Sequence, residues 1–95
     1  MSLLPHEQVH SRLASLEGWH LRGNAIERTF DRGDFDGSIR FVSAVAAAAN
    51  AVGHHPDLGI SWNRVTVTLS SHDAGGVTER DFALAKSVDE LAAAP

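Results

Sequence analysis

Residues 58–69 read LGISWNRVTVTL, and apolar side chains alternate with polar residues or glycine on both sides of Asn63-Arg64. Alternation with a period of two is typical of β-strands that bury one face. If Asn63-Arg64 forms a two-residue turn, the facing residues are Trp62 with Val65, Ile60 with Val67, and Leu58 with Leu69. A shift of one residue would set apolar against polar side chains throughout. The segment therefore predicts an antiparallel hairpin in this register.

The same register brings together the residues that flank the hairpin. It sets His55 opposite His72, although Pro56 cannot donate a ladder hydrogen bond and should end regular pairing. His54 directly precedes His55, so three imidazoles are expected at one end of the hairpin. Imidazole has an ordinary pKa of about 6.5 and can accept or give a proton near neutral pH. Such a group suits a reaction that needs an acid and a base together.

The rest of the chain predicts three helices and two more strands. Apolar residues recur at helical spacing in segments 5–17 and 34–52, and again after Thr78. The predicted buried stripes are Phe35, Ile39, Val42, Ala46 and Ala49 in the second helix and Leu84, Val88 and Leu91 in the third. Segments 19–22 and 25–30 predict strands around a Gly23-Asn24 turn. The order α-β-β-α-β-β-α predicts an α+β domain over residues 1–95, with three helices packed on one face of a four-stranded antiparallel sheet.

Composition excludes several classes of function. The chain has 95 residues, with 8 Lys and Arg against 12 Asp and Glu, for a net charge of −4. This balance argues against a general nucleic-acid binder or a protein attracted to anionic membranes. Cysteine is absent, which excludes disulfides, thiolate metal sites and a cysteine nucleophile. No run of apolar residues is long enough to span a membrane, so we expect a cytoplasmic protein.

The histidines also have ordinary structural interpretations. His54 and His55 follow Gly53, a residue suited to ending a helix, and could cap the helix carbonyls. Asp81 stands three residues after Thr78, which is the spacing of a capping box. The remaining histidines are expected on the surface: His6, His10, His20.

A zinc site is the main chemical alternative. His54, His55, His72 and Asp81 are all permissible zinc ligands. However, adjacent residues in extended chain point to opposite sides, which makes joint ligation by His54 and His55 awkward. We therefore expect no metal.

Several motifs together resemble the pterin-4a-carbinolamine dehydratase family. They are His54-His55-Pro56-Asp57, Trp62-Asn63, His72 and Gly76-Val77-Thr78-Glu79-Arg80-Asp81, with Gly18-Trp19, Phe30, Phe35 and Phe41 also fitting the pattern. The resemblance implies the dehydration of a 4a-hydroxytetrahydropterin to quinonoid dihydropterin, without a cofactor. It also implies a role in recycling tetrahydropterin for an aromatic amino acid hydroxylase such as phenylalanine hydroxylase, and a homodimer or homotetramer.

Matching positions imply the site residues. His54, His55, His72 and Asp81 would be catalytic, with His54 and His72 handling protons while His55 mainly holds the ring. The implied substrate-binding residues are His55, Pro56, Asp57, Trp62 and Thr78.

The sequence departs from the family pattern at two positions. Asn50 stands where a charged residue, commonly Glu, is usual; it can hydrogen-bond but cannot supply a charge, so a lowered or shifted pH optimum is expected rather than loss of activity. Leu58 stands where several members have an aromatic residue. The functional alternative is a non-catalytic relative: a scaffold, an assembly factor or a dimerisation partner of a transcription factor. All three motif histidines and the aspartate are present here, which favours the enzyme.

Overall fold

The computed structural model describes residues 2–94, and its elements follow the predicted order. The elements are α1 His6–Leu13, β1 His20–Arg22, β2 Ala25–Asp31, α2 Phe35–Val52, β3 Asp57–Ser61, β4 Arg64–Leu69 and α3 Glu79–Ala93. The strands form one antiparallel sheet in the order β1-β2-β4-β3. The predicted α+β class, with three helices and a four-stranded antiparallel sheet, is confirmed.

The β3–β4 hairpin forms, but the predicted register is wrong by two residues. Ile60 pairs with Val65 and Leu58 with Val67, so the turn is Trp62-Asn63. A shift of two residues keeps the same side chains on each face, and the apolar alternation therefore cannot distinguish the two registers. Contacts from outside the hairpin hold the observed turn: the Ser38 hydroxyl donates to the Trp62 carbonyl at 2.7 Å, and the Arg32 amide donates to the Asn63 carbonyl at 2.7 Å.

The corrected register changes which residues meet beyond the strands. Continued past Asp57 and Thr68, it sets His54 opposite Ser71 rather than His55 opposite His72. His54 and Ser71 are both buried, whereas His55 and His72 are both exposed. The buried side of this end of the sheet therefore carries one histidine, and the other two lie at the surface.

The core lies between one face of the sheet and the helices. Every second residue of β4 is completely buried, as is Ile26 of β2, and the helices supply the opposing apolar residues. The core side chains of β4 are Val65, Val67 and Leu69. Those of α3 are Phe82, Leu84, Ala85 and Val88, which confirms Leu84 and Val88 of the predicted stripe; Leu91 is half-buried.

Helix α2 has the predicted ends, but of the predicted stripe only Ala49 is buried and Val42 half-buried. The Asp34 carboxylate accepts from the Gly37 amide at the start, and Gly53 ends the helix with φ 64°. The buried residues include Phe41, Val45 and Ala49, whereas Phe35 and Ile39 of the predicted stripe are exposed. Alanine occupies six of the eight positions 44–51, so the apolar spacing fits more than one face of the helix. Packing against β4 and α3 selects the face that is buried.

The N-terminal elements differ from prediction mainly at their ends. Helix α1 ends at Leu13 rather than Glu17, and turns lead to Gly18 at φ 89°. Trp19 precedes β1 instead of beginning it. Its indole is buried, and its Nε1 donates to Asp89 of α3 at 2.9 Å. None of the helices within residues 2–94 is long and apolar enough to cross a membrane.

Asp31 joins the end of β2 to the β3–β4 turn, and we expect this contact to weaken in acid. Its Oδ1 accepts from the Gly33 amide and from Asn63 Nδ2, both at 2.9 Å. These hydrogen bonds, with the charges of Arg64 and Arg32, lower the pKa of Asp31 below its ordinary 3.8, although desolvation opposes the shift. A lowered pKa stabilises the fold at pH above 3.8, and this stabilisation is lost as the pH falls through the folded-state value.

We therefore expect Asp31→Asn to be less stable than the wild type at pH 7, and the two to converge in acid. Asparagine keeps an acceptor oxygen, so the difference reports the charge. The free energy of unfolding measured by urea titration from pH 7 to pH 2 checks this. A constant difference across that range would contradict it.

Candidate active site

A buried carboxylate at the start of α3 organises the candidate site. Asp81 is 0% exposed, and its Oδ1 lies 2.6 Å from His54 Nε2. Its Oδ2 accepts from the Ser71 hydroxyl at 2.9 Å and from the Thr78 amide at 2.8 Å. Thr78 is the N-cap, and the predicted capping box is present. Both carboxylate oxygens are thus held by donors, and the helix N-terminus favours the negative charge.

His54 reaches Asp81 because α2 stops abruptly at Gly53. The left-handed conformation of Gly53 turns the chain, and the His54 amide still donates to the Ala49 carbonyl at 3.2 Å. The imidazole is only 7% exposed. When Nε2–H donates to Asp81, the other ring nitrogen, Nδ1, keeps its lone pair. This arrangement can accept a proton at Nδ1 while the carboxylate stabilises the resulting imidazolium.

His54 borders a small cleft between α2 and α3. The cleft has a volume of about 120 Å³, and its lining residues are Val52, His54, Arg80, Ala83, Leu84 and Ser87. Three of the six lining residues are apolar, and the polar residues along the wall are His54, Arg80 and Ser87. The cleft holds a proton-transfer group beside an apolar surface, and its volume is below the roughly 300–1,000 Å³ of a pocket that encloses a whole ligand.

His55 points away from this pair. It is exposed, and its Nε2 lies 2.9 Å from Asn50 Oδ1 on the last turns of α2. The last carbonyls of α2 receive the backbone amides of Gly53 and His54, not the imidazoles. Within residues 2–94, therefore, neither imidazole caps the end of α2, and the helix-capping interpretation is wrong.

Ser71, Thr78, Asp81 and His54 form a buried hydrogen-bond network. His72 lies at the surface, one residue after Ser71. It belongs to a tight loop, residues 71–76, closed by the bridge between Ser71 and Gly76 and by the Gly75 amide, which donates to the Ser71 carbonyl at 2.9 Å. The His72 side chain makes no hydrogen bond to residues 2–94. Its chain neighbour Ser71 contacts Asp81 directly, so His72 is tethered near the site through the backbone. The catalytic role of His72 stays a prediction.

The predicted substrate-binding residues are dispersed. Thr78 is completely buried and bonded to the Ser71 hydroxyl at 2.8 Å, so it lies behind the network. Pro56 and Asp57 stand at the start of β3, half-buried and exposed respectively. Trp62 is 70% exposed in the turn after β3, and the five residues of β3 separate it from Pro56 by a span of about 17 Å. Within one chain Trp62 is therefore not grouped with the histidines, and its substrate contact stays a prediction.

Sequence reasoning missed Ser71. The residue is 1% exposed and links Asp81 to Thr78, which makes it part of the support for His54. The only signal was the hairpin register, and the predicted register set His72 opposite His55 instead of Ser71 opposite His54. A turn at Trp62-Asn63 would have identified it.

Residues 2–94 contain no set of ligands that would support the zinc alternative. There, no three side chains of His, Asp or Glu are grouped closely enough to hold a metal ion. His54 and Asp81 contact each other, but His55 faces Asn50. His6 and His10 stack edge to face at 4.7 Å on the exposed side of α1, and His20 is exposed on β1.

Known proteins of the same fold show strong similarity over nearly the whole chain. Residues 2–91 match the family model described as pterin 4 alpha carbinolamine dehydratase. A protein of Roseiflexus castenholzii named "Putative pterin-4-alpha-carbinolamine dehydratase" is 48% identical over 95% of this chain and 97% of its own length. A protein of Thermosynechococcus vestitus with the same name is 51% identical over 88% of each chain.

Two solved structures are also similar. The crystal structure of a transcriptional coactivator/pterin dehydratase from Brucella melitensis matches with a TM-score of 0.88 and 35% identity, covering 94% of this chain and 97% of that one. A pterin dehydratase-like protein identified as a RuBisCO assembly factor in the alpha-carboxysome matches with a TM-score of 0.69 and 27% identity, covering 83% and 94%. On sequence and fold together, this chain belongs to the pterin-4a-carbinolamine dehydratase family.

Proposed function

We propose that this protein catalyses the dehydration of a 4a-hydroxytetrahydropterin. In this reaction the bond between C4a and the hydroxyl oxygen breaks, N5 loses its proton, and a C4a–N5 double bond forms. The products are quinonoid dihydropterin and one water molecule. The reaction involves no change in oxidation state, so general acid and base groups on the protein suffice and no cofactor is required.

The observation that carries this proposal is the buried pair of His54 and Asp81. The 2.6 Å contact at Nε2 orients the ring and leaves Nδ1 available for a proton, and His54 lines the cleft. A base held this way has no need to reorganise during the reaction, which is the main advantage of a preorganised site. We assign His54 to proton transfer and Asp81 to holding and stabilising its imidazolium.

The two exposed histidines take the remaining roles in this proposal. His72 acts as the second proton-transfer group, and His55 holds the pterin ring with Pro56, Asp57 and, at a greater distance, Trp62. We further propose that the protein works in the cytoplasm as a homodimer or homotetramer, recycling tetrahydropterin for an aromatic amino acid hydroxylase. Sedimentation of the purified protein as a monomer would refute the oligomer.

The test is direct turnover of a 4a-hydroxytetrahydropterin, followed by the absorbance of quinonoid dihydropterin and corrected for the rate without protein. We expect wild-type activity well above that background, and a loss of about 10²-fold in His72→Ala. His20→Ala is the matched control, because His20 is also exposed but lies on β1. Full activity in both His54→Ala and His72→Ala would end the histidine mechanism, whereas no wild-type turnover would end the dehydratase proposal.

A non-catalytic assembly role is the second candidate. It is supported by the similarity to the protein described as a RuBisCO assembly factor, which has the same fold. A pure scaffold would show no turnover in the same assay. Retention of His54 and Asp81 in a buried pair favours the enzyme, because a scaffold gains little from a histidine facing a cleft.

Asn50 provides a charge test of the proposed site. Its neutral Oδ1 contacts His55 Nε2 at 2.9 Å, so Asn50→Glu would place a carboxylate near that imidazole. A carboxylate favours the imidazolium of His55, the proposed ring-holding residue, so the pH dependence of KM should move to higher pH. Ser43→Glu, which adds the same charge elsewhere on the exposed surface of α2, is the control. An identical shift in both variants would show a general charge effect instead.

A further inference from the structure

The cleft beside His54 contains a second charged group that the proposed chemistry does not use. Arg80 lines the cleft, and its Nη2 donates to both carboxylate oxygens of Asp73, at 2.9 and 3.2 Å. Arg80 directly precedes Asp81 in the first turn of α3, and Asp73 directly follows His72 in loop 71–76. The ion pair therefore joins the two chain segments that carry the network and the exposed histidine.

The ion pair is poorly explained by stability. Its side chains are 32% and 64% exposed, and ion pairs with such exposure contribute little to stability. In addition, Arg80 Nε is buried without a hydrogen-bond partner in residues 2–94. Burial of an unpaired donor is unfavourable, so this orientation of the guanidinium carries a cost that the exposed pair barely offsets.

The pair does restrain the outer half of loop 71–76. Ser71 at its base is held by Asp81, and the Gly76 carbonyl receives the Ser71 amide at 2.8 Å. Between these anchors, Asn24 Nδ2 donates to the Gly75 carbonyl at 3.3 Å, and Arg80 contacts Asp73, the residue next to His72. Desolvation raises the pKa of the Asp73 carboxyl, but the Arg80 charge and the hydrogen bonds to the carboxylate outweigh it and lower the pKa below the ordinary 3.8. The carboxylate is therefore ionised at neutral pH.

We propose that Arg80 is a positioning residue, which holds loop 71–76 through Asp73 and thereby fixes the position of His72 relative to His54. This inference rests on the proposed function for its catalytic consequence, but the loop restraint itself is a property of the protein alone. Breaking either half of the pair frees the same segment. The two single variants and the double variant should therefore behave alike.

The experiment compares Arg80→Gln, Asp73→Asn and the double variant with Glu79→Gln. Glu79 is the neighbouring first-turn residue of α3, whose exposed ion pair is made with Arg12 on α1, away from the loop. We expect kcat for dehydration to fall about tenfold in all three variants of the pair, because a displaced catalytic group costs rate more than binding. KM should change less than kcat, the urea midpoint should be unchanged, and Arg80→Lys should recover part of the rate.

A second measurement does not depend on activity. Backbone order parameters by NMR should fall for residues 72–75 in Arg80→Gln and Asp73→Asn, and stay at the wild-type level in Glu79→Gln. Unchanged order parameters, or rate losses that add in the double variant, would overturn the proposal. If the wild type shows no turnover, the proposed function fails, while the order parameters still decide whether Arg80 holds the loop. Asp73→Asn keeps the test open should Arg80→Gln unfold, because Asp73 is at the surface.

Discussion

Replacing His54 by glutamine should lower the dehydration rate by about 10²–10⁴-fold, the usual contribution of a general acid or base. Glutamine can still hydrogen-bond to Asp81, but it has no basic nitrogen to receive the N5 proton. Because the variant keeps a polar partner for the carboxylate, the fold should be retained. Rates on a 4a-hydroxytetrahydropterin, with KM and kcat determined separately, measure the effect. The loss should appear mainly in kcat.

Two controls make the His54 result specific. His20→Gln makes the same substitution on the exposed surface of β1 and should keep full activity. A urea titration of His54→Gln checks that the loss is not unfolding. If kcat falls by less than about threefold in a folded variant, His54 is not the proton-transfer group, since even modest general-base catalysis exceeds that factor.

Replacing Asp81 by alanine should destabilise the protein by about 3–5 kcal/mol and abolish activity in the folded fraction. The carboxylate has three partners: His54 Nε2, the Ser71 hydroxyl and the Thr78 amide. Each buried group left without a partner costs about 1–3 kcal/mol, and the first turn of α3 loses half of its capping box. Urea unfolding at pH 7 gives the change in free energy of unfolding.

Glu79→Ala is the matched control for Asp81. Glu79 is also an acidic residue in the first turn of α3, but it is exposed, and its loss should cost no more than about 1 kcal/mol. Asp81→Asn separates hydrogen bonding from charge, because the amide keeps one acceptor oxygen. We expect it to be more stable than Asp81→Ala. Equal stability of wild type and Asp81→Ala would show that the network does not hold the start of α3.

Local patterns in the sequence predicted the fold well where local physics decides the structure. The capping box at Thr78 and Asp81 and the stop at Gly53 involve residues within one turn, and both are confirmed. Alternation in residues 58–69 identified the hairpin and its buried face. It could not separate registers two residues apart, because Ser38 and Arg32, distant in sequence, hold the turn at Trp62-Asn63. The predicted buried stripe of α2 was wrong at Phe35 and Ile39 for a similar reason, since an alanine-rich helix has no unique apolar side.

The candidate site was predicted in part for the same reason. Motif resemblance identified His54 and Asp81, and the structure joins them. The convergence of three imidazoles relied on the wrong register, and the structure places His55 and His72 at the surface. Adjacent residues of an extended chain point in opposite directions, so only one of His54 and His55 could face Asp81. Ser71, and the contact of Arg80 with Asp73, could be identified only from contacts between separate segments of the structure.

The double use of Asp81 has a consequence for how proteins of this design can diverge. The same carboxylate starts α3 and orients His54, so folding and proton transfer depend on one side chain. A descendant released from turnover could exchange His54 and leave the Ser71 and Thr78 contacts intact. It could not exchange Asp81 so freely. In a relative that evolves toward a purely structural role, we therefore expect the histidine to be substituted before the aspartate.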